Sequence, residues 1–369
     1  MQRVYERFKS GQWRHRRKPP GRLRRRYAAK GNETAHNIVG RIRTKMEIAL
    51  IKSYTQKPWR SPETYQLIEE SLTERWHVKS INTKNPGTLH TFLTRMKDAC
   101  GEDLFVFNIA EYLNENNKTG FLPVLLEQWD VPHLGSSAEV TAIGLDKARS
   151  KELLLEAQIP TPRFFVAHPG SSGVKDRAEK IGYPLIAKPI HEGGHIGIRE
   201  DSIVYDYNSL EMVINRIFRI HNQPALVEEF ITGEGMWEFS VGIIDGDVRI
   251  FTPIEIDFES MNTNIDILSY EAAQQDLEKI KLVKEKKVRD EIIDLADKTF
   301  AAIGASDYSR VDMRMNHSSC YVLEINIMPG LGPHSFLPEA TKEIYGLEYD
   351  QLIQKLVEHS MQRQGVNDM

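Results

Sequence analysis

The chain has 369 residues, 40% of them hydrophobic and 27% charged, enough for two or three domains with their own cores. It holds no apolar run of about 18 residues, which excludes a membrane span, and its N-terminus lacks the apolar stretch of a secretory signal. Its two cysteines, Cys100 and Cys320, are too few for a disulfide framework and read as small buried hydrophobes in a reducing cytoplasm.

The net charge of −4 hides an asymmetry. Residues 1–45 hold 15 Lys or Arg and two acids, a net of +13, which leaves −17 for the rest. With Pro19-Pro20-Gly21 and few apolar residues, 1–45 reads as a poorly ordered arm. Such an arm suits a nucleic acid or another acidic surface, and a plain solvated tail is the competing reading.

From Met46 the pattern becomes that of a folded chain. Met46–Ile51 reads as a strand, and Ser61-Pro62-Glu63 opens a helix with Ser as its cap and Pro as its first residue. His77–Ile81 is a second strand, Gly87–Lys97 a helix and Leu104–Asn108 a third strand. Gly120–Trp129 reads as a helix and Val131–Leu134 as a fourth strand. This alternation predicts a parallel, doubly wound α/β domain over 46–135. Ser137 caps a helix that carries Asp146-Lys147 to about Ala157, and Ile159-Pro160-Thr161-Pro162 ends it. Extended segments follow at Arg163–Ala167 and Pro184–Pro189, with a glycine-rich loop at Glu192–Gly197 and a strand at Ala225–Ile231. Asp245-Gly246 joins strands Phe239–Ile244 and Val248–Thr252 in a hairpin. Lys287–Ile303 is amphipathic and ends at Gly304, and Tyr349–Gln362 is a last helix. The subdomains expected are 46–135, 136–232 and 233–369.

The chemistry concentrates in Ser309–Gly330, read as two strands joined by a polar turn. Strand alternation points Arg310 and Asp312 the same way, and likewise Glu324 and Asn326. A turn centred near Ser318 sets Asp312 opposite Glu324 and Arg310 opposite Asn326. That gathers hard oxygen donors beside a guanidinium, a set suited to Mg²⁺ next to phosphates. An ordinary solvated hairpin face is the alternative. Upstream, the loop with Gly193, Gly194 and His195 can offer backbone N–H groups to a phosphate, with Lys188 and Lys147 as nearby cations. Glu228 and Glu229 precede Phe230-Ile231, a hinge suited to an adenine edge, and Glu238 can accept from ribose hydroxyls.

In this order the motifs resemble the ATP-grasp superfamily, and within it the D-alanine–D-alanine ligases. The motifs are Leu145-Asp146-Lys147, Pro184–Pro189, Glu192–Gly197, Val227–Gly233, Arg310-Val311-Asp312, Leu323–Asn326 and His334–Pro338. The resemblance covers Gly135 to Pro338 well and Met46 to Pro132 weakly. It implies an ATP-grasp fold whose two α+β subdomains clamp ATP, with Lys147 and Lys188 on phosphates and Glu228–Ile231 around adenine. It implies Asp312, Glu324 and Asn326 as Mg²⁺ ligands and Arg310 as the cation beside the developing oxyanion. Ser335, next to His334, matches the serine that holds the second substrate's carboxylate. The activity implied is ATP-dependent joining of a carboxylate to an amine, on amino acids or short peptides, through an acyl phosphate. A homodimer is one oligomeric state to expect.

The substrate half departs from the family pattern. Glu63 is only a stand-in for the family's first-substrate glutamate, and Gly194-His195 replaces a serine pair. The loop with Tyr270 has Ala273-Gln274 where lysine and tyrosine are usual. These changes predict a wider first-substrate pocket and poor D-alanine–D-alanine ligation. The rival expectations are a standard D-alanine–D-alanine ligase and a non-catalytic ATP-binding protein that acts through its arm.

Overall fold

The computed structural model describes residues 46–194, 196–233, 236–261, 279–317 and 319–366. The N-terminal sheet has the parallel order β2-β1-β3, from Glu47–Lys52 (β1), His77–Asn82 (β2) and Leu104–Asn108 (β3). Helix α1 (Pro62–Thr73) starts as its sequence demands, with the Ser61 hydroxyl accepting from the Thr64 N–H and Pro62 at the first position. Helix α2 (Pro86–Cys100) is capped by Asn85.

Two expectations fail here. The stretch 112–121 is a small hairpin, β4 (Tyr112–Asn114) with β5 (Thr119–Phe121), so helix α3 spans only Leu122–Gln128. Glycine is needed at 120 in β5, because the residue has φ of +65° and a Cβ there would lie 2.9 Å from Leu113. The expected fourth strand is a single parallel bridge, Val106 with His133.

The helix expected to run through Asp146 is two helices, α4 (Ala138–Leu145) and α5 (Lys147–Glu156). Asp146 breaks it: its backbone is extended and its carboxylate accepts from the Ala148 and Arg149 N–H groups. The break places Lys147 in the first turn of α5.

The central unit is an antiparallel sheet of order β6-β9-β7-β8. Its strands are Phe164–Ala167 (β6), Leu185–Pro189 (β7), Ile203–Val204 (β8) and Ala225–Glu229 (β9), with α6 (Val174–Ile181) and α7 (Tyr207–His221) packed on its buried face. Asp206 caps α7.

The C-terminal sheet, also antiparallel, has the order β12-β11-β10-β13-β14. It comprises Trp237–Ile244 (β10), Ile250–Ile256 (β11), Ile280–Leu282 (β12), Tyr308–Met315 (β13) and Cys320–Asn326 (β14). The short helix α8 (Phe258–Met261) follows β11, and α9 (Lys286–Ile303) lies under the sheet and ends at Gly304, whose φ is +77°. Leu154 and Ile159 join the same core, so α5 packs beneath this sheet. Helices α10 (Phe336–Tyr345) and α11 (Tyr349–Arg363) complete the chain, and Leu352, Ile353, Leu356 and Val357 of α11 share a core with Tyr65 and Ile68 of α1.

Candidate active site

Three strands build the polar face. Pairing β10 with β13 sets Glu238 opposite Arg314 and Ser240 opposite Asp312. Pairing β13 with β14 sets Asp312 opposite Glu324 and Arg310 opposite Asn326, the register expected from the sequence. Beyond Asp312 the register slips, with Met313 opposite Val322, which leaves Leu323 as the extra residue of a β-bulge. The polar face is thus an alternating row on each strand, while Val311, Met313, Val322 and Ile325 fill the core on the other side.

The row is tightly bonded. Arg310 grips Asp312 with two parallel bonds, Nε to Oδ1 and Nη2 to Oδ2, each 2.8 Å, and its guanidinium stacks 5.3 Å over the Phe336 ring. The Ser240 hydroxyl also donates to Asp312, at 2.5 Å. Asn326 Nδ2 donates to Asp312 Oδ2 at 2.8 Å. Lys147 donates to Glu324 at 2.6 Å.

Lys188 lies on β7 two residues from Ile186, which faces Glu228 on β9, so the two charges share a face. The Lys188 ammonium is 2.5 Å from Glu228, and Lys151 of α5 reaches the other oxygen at 2.9 Å. All three are buried. Burial opposes the Lys188 charge, but Glu228, with Glu324 and Glu238, outweighs it and holds that pKa up. Burial also opposes the Glu228 anion, and the two lysines outweigh that and hold its pKa down. On Lys151 burial wins and lowers the pKa to about 8.

Between the central and C-terminal sheets runs a cleft open to solvent. Ile186, Ile198, Phe230, Ile231 and Leu323 give it apolar walls, and Lys188, Glu228, Glu229, Glu238, Arg310, Asp312 and Glu324 its polar points. Arg314 also lines it, 3.5 Å from Glu238 and 4.4 Å over the Phe230 ring. A smaller cleft is lined by Lys147, Gly193, Asn326, Glu111 and Glu192. The Asn326–Asp312 bond links the polar groups of the two.

The structure therefore brings together most of the residues singled out in the sequence. Others lie apart. Glu63 is exposed in the first turn of α1, where its own backbone N–H and the Ser61 hydroxyl hold its carboxyl below the usual range, so it serves the helix end. His334 is exposed beside Glu339. Ser335 is not among these: it starts α10 without capping it through its side chain, and its hydroxyl lies against Gly330 and Gly332 in the turn after β14. His195 and Tyr270 lie outside the described residues. Gly194, expected to border a widened pocket, would place a Cβ 3.4 Å from the indole of Trp59.

Sequence reasoning passed over Trp59, Arg60, Lys151 and Arg314. Arg60 is buried and bridges Glu111 and Glu115. Two of these carried a signal: Lys151 is one helical turn after Lys147, and Arg314 continues the alternation of Arg310 and Asp312.

Comparisons with known proteins agree with this geometry. The family model for the C-terminal part of D-alanine–D-alanine ligase matches residues 153–358. A D-alanine–D-alanine ligase of Pediococcus pentosaceus is 31% identical over 297 residues, covering 79% of this chain and 78% of the relative. An uncharacterised protein of Sinorhizobium fredii, y4sG, is 31% identical over 286 residues, covering 76% and 82%. Among solved structures, the D-alanine–D-alanine ligase of Bacillus anthracis complexed with ATP superposes with a TM-score of 0.69 at 21% identity, over 87% of this chain and 99% of that one. The VanG D-Ala:D-Ser ligase of Enterococcus faecalis gives 0.63 at 21% identity, over 86% and 100%. The chain has the ATP-grasp fold and belongs to the D-alanine–D-alanine ligase family, whose members are ATP-dependent ligases that form carbon–nitrogen bonds.

Proposed function

We propose that this protein joins the carboxylate of one amino acid or short peptide to the amine of another, with ATP as the activating substrate. One observation carries the reading: Arg310, Asp312, Glu324 and Asn326 share one face, with Lys147 and Lys188 at its borders. The apolar walls suit a purine, Glu238 a ribose, and the two lysines a phosphate chain. The γ-phosphoryl group passes to the carboxylate oxygen, giving an acyl phosphate and ADP. The amine then attacks the acyl carbon, and inorganic phosphate leaves. Arg310 stabilises the charge that grows on the acyl oxygen, and its bidentate bond to Asp312 fixes its direction.

The oxygen donors fit Mg²⁺. No group of three or more His, Cys, Asp or Glu side chains is placed to hold a metal among the described residues. Two acids and one amide oxygen leave coordination positions for phosphate oxygens and water, the usual arrangement for this ion beside a nucleotide. Asp312, Glu324 and Asn326 would hold the ion, and when bound it neutralises phosphate charge. Lys147 then trades its bond to Glu324 for a phosphate.

ADP release, measured with Mg²⁺ over pairs of D- and L-amino acids and dipeptides, tests the reading. Release that needs both a carboxylate and an amine supports it. D-alanine preferred above every other pair would make this a standard D-alanine–D-alanine ligase. Absence of release from every pair would sink the proposal.

A further inference from the structure

The segment Lys57-Pro58-Trp59-Arg60 crosses from the loop after β1 to α1, and it packs against the glycine-rich loop and the turn after β14. A Cβ on Gly332 would lie 3.0 Å from the Trp59 Cα, and one on Gly330 would lie 3.0 Å from the Trp59 Cβ and Cγ. The far edge of the indole rests on Gly194 of the glycine-rich loop. Trp59 thus spans from the turn that leaves the acid strand to that loop. The Ser335 hydroxyl borders the same Gly330, 2.8 Å from where its Cβ would be.

Lys57 lies at the same end of the indole, beside Gly194. Its ammonium is 5.6 Å from the centroid of the Trp59 ring and 3.8 Å from where a Gly194 Cβ would be. It is half-buried and makes no ion pair with a described residue. The acids around it are engaged: Glu111 and Glu115 hold Arg60, and Glu192 accepts from Lys118 and Gln223, each at 2.7 Å. Burial first, and Arg60 next, push the Lys57 pKa down, while Glu115, Glu111 and Glu192 oppose the fall from a distance without bonding it. Lys57 does not line the nucleotide cleft, where no residue of the segment appears.

Two amino acids bring two carboxylates. In the proposed reaction one is activated beside Arg310 and the other is the acceptor's, assigned to Ser335. Lys57 is a third anion position. We infer that this ligase takes a dicarboxylic amino acid as one substrate, with Lys57 reading the side-chain carboxylate and Trp59 forming the wall it lies against. The inference rests on the ligase reading above.

The test is ADP release with aspartate and glutamate, each paired with alanine, against the isosteric amides asparagine and glutamine, in both enantiomers. Wild type should favour acid over amide by about tenfold or more in kcat/KM, since a mismatched partner leaves a buried charge unpaired. Lys57→Met should abolish that preference and Lys57→Arg should keep most of it. A wild type that uses acid and amide equally, or a Lys57→Met protein that keeps the preference, overturns the inference while leaving the ligase reading intact. If no pair, alanine with alanine included, releases ADP, the ligase reading falls and a binding measurement decides Lys57 alone. There the probe is glutarate, titrated onto protein loaded with Mg²⁺ and the non-hydrolysable analogue AMP-PNP. A dissociation constant raised about tenfold in Lys57→Met supports the role. An unchanged constant, or no glutarate binding to wild type, refutes it.

Discussion

Lys147 donates to Glu324 at 2.6 Å, joining the first turn of α5 to the acid strand 177 positions later. The bond exists because Asp146 interrupts the helical run and swings Lys147 over β14. It holds the Glu324 carboxylate on the same face as Asp312 and Asn326. Glu324→Gln keeps the size of the side chain and removes the charge. ADP formation should fall about a hundredfold or more, and the Mg²⁺ concentration for half-maximal rate should rise, because a neutral amide is a poor ligand for a hard cation. Near-normal turnover at ordinary Mg²⁺ would take the β13–β14 hairpin out of the active site.

Gly144 backs this strand from α4. A Cβ there would lie 2.3 Å from Ile327 Cγ1, against a side chain that is itself buried. Gly144→Ala must push Ile327 aside, and Ile327 follows Asn326 directly. The overpacking should cost about 1–3 kcal/mol, read as a lower urea midpoint, together with a raised KM for ATP. An alanine variant with unchanged midpoint and kinetics would mean that α4 yields without disturbing the strand.

Arg60 makes a similar claim on the N-terminal domain. Its side chain is only 4% exposed and bridges Glu111 and Glu115, which are 16% and 23% exposed. Burial disfavours its charge, and the two acids overcome that and hold the guanidinium pKa up. Arg60→Met leaves both carboxylates without their cation. The partial exposure of the acids softens the loss, which should be about 2–4 kcal/mol in urea unfolding. A loss below about 0.5 kcal/mol, within the range of an ordinary surface change, would show that water replaces the guanidinium fully.

Period-two alternation made the polar face legible in the sequence. Arg310, Asp312, Glu324 and Asn326 could be paired across a polar turn before any coordinates, and that register holds. The bulge at Leu323 left no trace, because a bulge is an extra residue and disturbs no local pattern. Asp146 was misread for a related reason. Helix reads on both sides of it with no proline between, and only its side chain bonding to the Ala148 and Arg149 N–H groups reveals the break. The hairpin 112–121 was lost to three-residue strands, too short to show alternation. The Lys57–Arg60 segment was opaque because its meaning is long-range. Trp59 meets Gly194, Gly330 and Gly332, and nothing near Trp59 in the chain announces them.

Glu238 gives the last prediction. It is buried between Arg314, 3.5 Å away, and the charge of Asp312. Burial raises its pKa from an ordinary 4.5 to about 7, Arg314 opposes the rise, and Asp312 adds to it. The sign of the pH effect follows. Below about 4.5 the carboxyl is protonated whether folded or not and carries no penalty. Between 4.5 and about 7 the folded protein keeps a proton that the unfolded chain has lost, so stability falls as pH rises through that window. Above 7 both states are ionised and the loss stays constant. Glu238→Gln removes the titration and keeps the size. The variant should gain on wild type in urea midpoint as pH goes from 5 to 7.5, and gain nothing further from 7.5 to 8.5. A difference that stays flat across that range would mean that Glu238 is ionised throughout, held by Arg314 more strongly than burial opposes it.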